Sequence, residues 1–247
     1  MVDLILLGFI GLFFVLIFLV AIPRSMKKLR EGFERDIPLI FPDGDCQIVK
    51  SESKFLAFMG RTMPRVSREG IDLDIVFTTG RSGDASSGPS VIYFYVPLRH
   101  QISLLVEKES IGSALSKVAG LSRDIEIGIR ELDAALVFTS RDKDRAEQLL
   151  RDESFLDILK QLKAHEKFIR LGIKSAFDDF VKLKKLPNQA NHDFVYADRD
   201  YGSVVDWPGI FIGYRGTENT WKEEKEVIQD LVNLTYRLVV LLKNYQS

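Results

Sequence analysis

The stretch with the most side chains able to do chemistry is NHDFVYADRDYG, at residues 191–202. It carries His192, Asp193, Asp198 and Asp200, and imidazole nitrogens and carboxylate oxygens are the groups that bind divalent metals and exchange protons in catalysis. No standard zinc or calcium spacing is present, and Asn, Asp and Gly are also the residues that surface turns need. These four residues are therefore the candidate ligands of a metal or acid–base site, and a solvated turn is the alternative that the composition favours.

Other known chemistries leave no pattern in the chain. The glycine-rich segment at residues 80–90 lacks the Lys-Ser or Lys-Thr pair of a phosphate-binding loop, and both the dinucleotide pattern G-x-G-x-x-G and the hydrolase pattern G-x-S-x-G are missing. His100 and His165 are expected in surface or helix-capping roles. Cys46 is the single cysteine, which excludes an internal disulfide. The sequence therefore predicts no cofactor and no bound metal, and it leaves the catalytic residues unknown.

An apolar segment at the start of the chain must position whatever follows it. Residues 4–22 contain no charged side chain, and a helix of this length spans roughly 28 Å, about the thickness of a bilayer core. A cleaved signal peptide would have a basic start and a shorter apolar stretch, whereas this chain has Asp3 and no basic residue before the segment. We therefore expect a retained transmembrane anchor at residues 1–23, with the lipid bilayer as the partner of residues 4–22.

The orientation of this anchor is predicted from its basic flank. Arg24, Lys27, Lys28 and Arg30 follow the apolar segment directly. Basic residues next to a span stay on the cytoplasmic side, and the same cluster is suited to contact anionic lipid. The predicted location is the cell membrane, crossed once, with the C-terminal domain in the cytoplasm.

Three regions follow from this division of the chain: the anchor at 1–23, a basic juxtamembrane segment and linker at 24–44, and a globular domain at 45–247. Pro38, Pro42 and Gly44 predict that the linker leaves helical geometry before the domain begins. Lysine and arginine number 34 against 35 aspartate and glutamate, so the chain lacks the basic field that nucleic-acid binding requires. No nucleic-acid partner is expected.

The domain alternates between strand and helix patterns. In GIDLDIVFTTG, the odd-numbered residues from Ile71 to Phe77 are apolar, while Asp72 and Asp74 point to the other face, which predicts a half-buried antiparallel strand. Similar strand patterns follow in VIYFYVPL, ISLLVEK, KFIRLGIK and WPGIFIGYRG. The predicted fold class is α+β: one N-terminal transmembrane helix, then one mixed, largely antiparallel sheet domain with covering helices.

Two helical regions are expected to cover this sheet. The first, at residues 141–165, is predicted to restart near Ser154. The second closes the chain and is predicted to open with a capping box formed by Thr220 and Glu223. Its leucine-rich stripe has a period of about 3.5 residues. The stripe is suited either to cover the sheet, the interpretation that an α+β domain favours, or to bind a protein partner or a second copy of the chain.

The segment DIEIGIRELDAALVFTSRDKDRAEQLL contains a strand with Gly128, an acidic turn at 131–133, a strand that ends at Thr139 and Ser140, and a charged helix. It resembles a family of prokaryotic domains of unknown function that are anchored in the membrane by an N-terminal helix. The resemblance covers roughly residues 55–185. It implies an architecture and assigns no site residue.

Two classes of function are consistent with these observations. The first is a membrane-tethered cytoplasmic domain that binds a ligand or acts as a scaffold. The second is a membrane-associated enzyme, metal-dependent in one form, that uses the acidic and histidine segment around His192. Whether the chain is an enzyme is left open.

Overall fold

The computed structural model describes residues 22–50, 62–78, 90–98, 102–109, 125–140, 143–174 and 209–245. The chain divides into two compact units, Met1–Ser67 and Arg68–Ser247. The described strands are β1 (Cys46–Lys50), β2 (Thr62–Arg68), β3 (Ile71–Thr78), β4 (Val91–Val96), β5 (Leu104–Lys108), β6 (Leu136–Thr139), β7 (Phe168–Lys174) and β8 (Gly209–Arg215). The described helices are α1 (Ile22–Ile40), α2 (Arg130–Asp133), α3 (Lys143–Leu150), α4 (Glu153–Ala164), α5 (Glu218–Glu223) and α6 (Lys225–Asn244).

The first unit is built from α1 and an antiparallel pair of strands. Phe33, Ile37 and Ile40 recur at helical spacing and are buried, so α1 has one apolar face. This helix packs on β1, and β1 pairs with β2 in a register that places Cys46 opposite Val66. Burial of one helix face against one strand pair therefore organises this unit.

Within residues 24–44, α1 continues through Pro38 as far as Ile40. A proline lacks the N–H that would bond to the carbonyl four residues earlier, so a helix seldom continues far beyond it. Pro38 lies in the last turn, and the N–H of Phe41 still donates to the carbonyl of Ile37 at 2.7 Å. The helix therefore ends between Pro38 and Pro42, two of the residues at which the sequence predicts that the chain leaves helical geometry.

The second unit contains an antiparallel sheet with the strand order β3-β4-β8-β7-β5-β6. β8 is the last described strand along the chain, yet it lies between β4 and β7. All described strand pairs are antiparallel, so the α+β part of the predicted fold class agrees with this architecture.

Helices cover one face of this sheet. Successive residues of a strand point to opposite faces, and the register aligns one apolar residue from each strand in a single buried row across the second unit. This row consists of Ile75, Phe94, Ile212, Leu171, Val106 and Phe138. α6 packs against β4, β8 and α4, and its leucine-rich stripe is buried. The stripe thus covers the sheet, which is the first of the two roles that its pattern suggests.

A second helix does restart near Ser154, as predicted: α4 begins at Glu153, and its N-cap is Asp152, whose carboxylate accepts from the N–H groups of Ser154 and Phe155. Two other local predictions are wrong in detail. Asp74 is 3% exposed, so the second face of β3 is covered at this position as well. Thr220 lies inside α5, where its Oγ1 accepts from the N–H of Thr217 at 3.0 Å, and a separate helix begins at Lys225.

The predicted transmembrane helix has to be corrected. Among the described residues, no helix is both long enough and apolar enough to cross a membrane. α1, the described helix that overlaps the end of the predicted anchor, carries exposed basic and acidic side chains along its length. The membrane-spanning, single-pass assignment is therefore wrong for the described chain. Residues 4–21, on which the prediction depended, lie outside the described residues, and the predicted cytoplasmic location stays a prediction.

Candidate functional site

The structure does not describe the four candidate residues of the predicted metal or acid–base site. His192, Asp193, Asp198 and Asp200 all lie outside the described residues. Within the ranges that are described, no group of three or more His, Cys, Asp or Glu side chains is arranged to hold a metal ion. The metal or acid–base site around His192, and the enzyme that would use it, stay predictions.

The basic cluster Arg24, Lys27, Lys28 and Arg30 lies exposed on α1. Lys27 Nζ lies 3.7 Å from the carboxylate of Glu31, one helical turn away. Arg30 Nε donates to a carboxylate oxygen of the next acidic residue on the same face, Glu34, at 2.8 Å. Glu and Lys or Arg pairs at this spacing stabilise a helix by a few tenths of a kcal/mol. Part of the positive charge of the cluster is therefore balanced within the helix itself.

A group of ionisable side chains in the second unit meets where α5, α6 and two strands come together. Tyr214, from β8, donates its hydroxyl hydrogen to Glu224 Oε2 at 2.6 Å. Lys167, from the turn before β7, donates to the other carboxylate oxygen of Glu224. The ring of His165 lies edge-on to the Tyr214 ring, with centroids 6.5 Å apart. We refer to Tyr214, Glu224 and Lys167 as the clasp.

The surroundings of the clasp determine the protonation states of Glu224 and Tyr214. Burial favours the protonated form of Glu224, but the hydrogen bonds from Lys167 and Tyr214 outweigh this effect and lower the pKa of Glu224 below its ordinary value of 4.5. Burial, together with the hydrogen bond to Glu224, raises the pKa of Tyr214 well above its ordinary value of 10.0. Glu224 is thus ionised and Tyr214 protonated at neutral pH. Neither group is suited to exchange a proton there, and the geometry serves to hold the helix junction against β7 and β8.

The clasp predicts a specific pH dependence. Because the pKa of Glu224 is lowered by folding, its contribution to the free energy of unfolding is complete above the ordinary value of 4.5 and is lost as the pH falls through the lower, folded-state pKa. Denaturant melts of the wild type and of Glu224→Gln should therefore differ most near neutral pH, begin to converge below about pH 4.5 and meet once the pH is below the folded-state pKa. Glu223→Gln, an exposed neighbour, is the control and should track the wild type. A difference between wild type and Glu224→Gln that stays constant with pH would contradict the assignment.

The face of the sheet opposite to α6 has a different chemistry. One row across it consists of Val76, Tyr93, Gly213, Arg170, Glu107 and Val137. We call the face that carries this row the glycine face. A Cβ placed on Gly213 would lie 3.1 Å from Arg170 Cγ and 3.1 Å from Tyr93 Cε1, so the two side chains meet above this glycine. A second glycine, Gly172, lies directly beneath the ring of Phe211.

The aromatic rings on the glycine face pack against one another. Tyr93 and Phe211 are in edge contact, with centroids 5.8 Å apart and an interplanar angle of 80°, and both are fully buried. Beside them, an Arg170 guanidinium nitrogen (Nη2) lies 3.5 Å from Glu107 Oε1. The exposed fraction is 11% for Arg170 and 19% for Glu107. The centre of this face is therefore apolar and covered, and the ion pair lies where the face becomes partly accessible.

Local sequence patterns predict neither the clasp nor the side chains that meet on the glycine face. Glycine inside the strand patterns RLGIK and FIGYR is the one local signal, since an interior glycine marks a place where another group approaches the backbone closely. The partners of the clasp are distant along the chain, and no periodicity connects Lys167 with Glu224. The ion pair between Arg170 and Glu107 depends on the register of β5 against β7, which only the fold establishes.

Comparisons with protein-family models, with curated protein sequences and with solved structures found no match to this chain. The resemblance of residues 55–185 to membrane-anchored domains of unknown function therefore stays a prediction. The function has to be argued from the site geometry alone.

Proposed function

We propose that this chain is a binding or scaffold domain that engages its ligand at the accessible edge of the glycine face. The observation that carries the proposal is the Arg170–Glu107 pair, which lies next to the buried rings of Tyr93 and Phe211. A partly exposed guanidinium at the rim of an apolar surface is a common means of binding a planar anion, because it offers several N–H donors in a fixed geometry.

Stability alone does not account for a charged pair at this position. Partial burial of two charges costs solvation energy that their attraction only partly restores, and an apolar pair of similar volume is often as stable. The same face accommodates apolar residues readily, since Leu105, two residues before Glu107 on β5, is buried. The presence of Arg and Glu at this partly accessible position supports a role in recognition.

The ligand chemistry that fits is a carboxylate or phosphate attached to a flat or apolar body. Glu107 contacts the guanidinium of Arg170 through Oε1, and the planar guanidinium is the side-chain group whose geometry matches a carboxylate or phosphate. An anion would bind to Arg170, while the apolar body would lie along the rim of the face near Val137. Glu107 would hold the guanidinium in place before the ligand arrives.

The experiment is a calorimetric titration of the purified protein with benzoate, which combines a carboxylate and a ring, and with neutral benzamide as the reference probe. We expect benzoate to bind saturably and benzamide at least tenfold more weakly, a difference of about 1.4 kcal/mol. The double variant Arg170→Gln, Glu107→Gln should lose the preference for benzoate.

A second ion pair provides the matched control. Arg237 Nη2 donates to Asp157 Oδ2 at 2.7 Å between α6 and α4, on the helical side of the sheet. The double variant Arg237→Gln, Asp157→Asn removes the same charges and should bind benzoate like the wild type. Equal binding by both double variants, or no binding by the wild type, would overturn the proposed site.

A further inference from the structure

The last two helices meet at Glu224, and the local sequence does not explain why they are separate. Glu224 has φ −120° and ψ 42°, outside helical geometry, while α5 ends one residue before it and α6 begins one residue after it. Residues 222–226 read KEEKE, so the junction contains neither glycine nor proline. Lysine and glutamate favour helix, and kinks normally have an identifiable cause such as proline, glycine or an inserted group. The cause must therefore come from the rest of the fold.

The clasp is the tertiary contact that reaches the junction at Glu224. Glu224 holds the position from which a carboxylate would cap α6, yet its side chain makes no capping hydrogen bond. Its two oxygens are instead bound by Tyr214 and Lys167, which belong to the sheet side of the junction. On a continuous helix Glu224 would share a face with Ile228 and Leu231, both buried against the sheet. A carboxylate on that buried face needs polar partners. The backbone leaves helical geometry at Glu224, whose carboxylate binds Tyr214 and Lys167.

We infer that the junction is a two-state element that the clasp holds in its kinked form. When the carboxylate of Glu224 is removed, or its charge is lost, α5 and α6 join into one continuous helix. The movement displaces α5, whose Trp221 is fully buried and lies edge-on to Phe77 of β3 with centroids 5.7 Å apart and an interplanar angle of 70°. The inference does not depend on the ligand site proposed for the glycine face.

The test compares Glu224→Leu with Glu223→Leu by NMR. Leucine is a strong helix former and matches the apolar face that Ile228 and Leu231 define, so Glu224→Leu should give helical Cα chemical shifts without interruption from residue 218 to residue 244. The wild type and the exposed control, Glu223→Leu, should both have a non-helical Cα shift at residue 224. A non-helical shift at residue 224 in Glu224→Leu would overturn the inference, because the break would then persist without the clasp.

A second variant covers the case in which Glu224→Leu fails to fold. Glu224→Gln keeps the side-chain volume and an oxygen that accepts from Tyr214, but it loses the charge that attracts Lys167. We expect its Cα shift at residue 224 to move toward the helical value. In a Trp207→Phe background, the emission maximum of Trp221 should move together with it. An unchanged shift and an unchanged emission maximum would show that the charge of Glu224 does not hold the kink.

Discussion

Leu234→Asp is expected to abolish cooperative folding of the second unit. Leu234 is 3% exposed on the face of α6 that covers the sheet, and the substitution would bury a carboxylate among apolar side chains. An unpaired charge at such a position costs more than about 4 kcal/mol, which is a large part of the total stability of a domain this size. The measurement is a denaturant melt followed by circular dichroism.

The control for this variant lies on the same helix. Val240 is 48% exposed, so Val240→Asp also replaces an apolar side chain with a carboxylate but does not bury the charge. It should alter the free energy of unfolding by less than about 0.5 kcal/mol. If Leu234→Asp melted cooperatively at the wild-type midpoint, the stripe would not belong to the core. A variant that stays folded but elutes as a smaller species would instead indicate the self-association role considered for this helix.

Gly172→Ala is the second substitution with a large expected effect. An added Cβ would lie 2.2 Å from Cζ and 2.3 Å from Cε1 of the Phe211 ring, closer than carbon atoms approach in proteins. The ring is fully buried, so it has little room to move, and we expect a loss of about 3 kcal/mol in the free energy of unfolding.

A double variant separates this clash from other effects. In a Phe211→Ala background the ring is gone, so the further change Gly172→Ala should cost less than about 1 kcal/mol. Gly32→Ala tests the general effect of replacing glycine, because Gly32 lies in α1 with no other atom within 4 Å of an added Cβ, and alanine there should stabilise α1 by roughly 0.5 to 1 kcal/mol. Equal costs for Gly172→Ala with and without Phe211 would contradict the packing described for the glycine face.

Periodicity predicts those parts of the fold that local sequence determines. The apolar stripe of α6 and the alternation of β3 are patterns of consecutive residues, and both elements form, although α6 begins at Lys225 and not at Thr220. Helix starts are less predictable, because Asp152 and Ser154 are both good capping residues and only the backbone geometry selects Asp152. The same limitation explains why Thr220 is not recognisable as a residue inside α5. Its hydroxyl accepts from the N–H of Thr217, just before α5, and does not cap the final helix.

The candidate sites depend on pairings between distant segments. Arg170 meets Glu107 because β5 and β7 are neighbours in a particular register, and Glu224 meets Lys167 and Tyr214 because α6 crosses the sheet at one position. No local pattern contains this information. Hydropathy likewise shows that residues 4–22 are apolar, but it does not show which elements the described chain forms. The membrane-spanning prediction depends on the apolar composition and length of this segment.

The position of β8 has a consequence for how the protein is made. β4 and β7 are synthesised well before β8, yet each of them has β8 as a neighbour. Until residues 209–215 leave the ribosome, β4 and β7 each present an unpaired edge lined by apolar side chains, and such edges are templates for aggregation. A nascent chain that stalls before residue 209 should therefore depend on chaperones, whereas completion of β8 closes the sheet in one step and removes both edges at once.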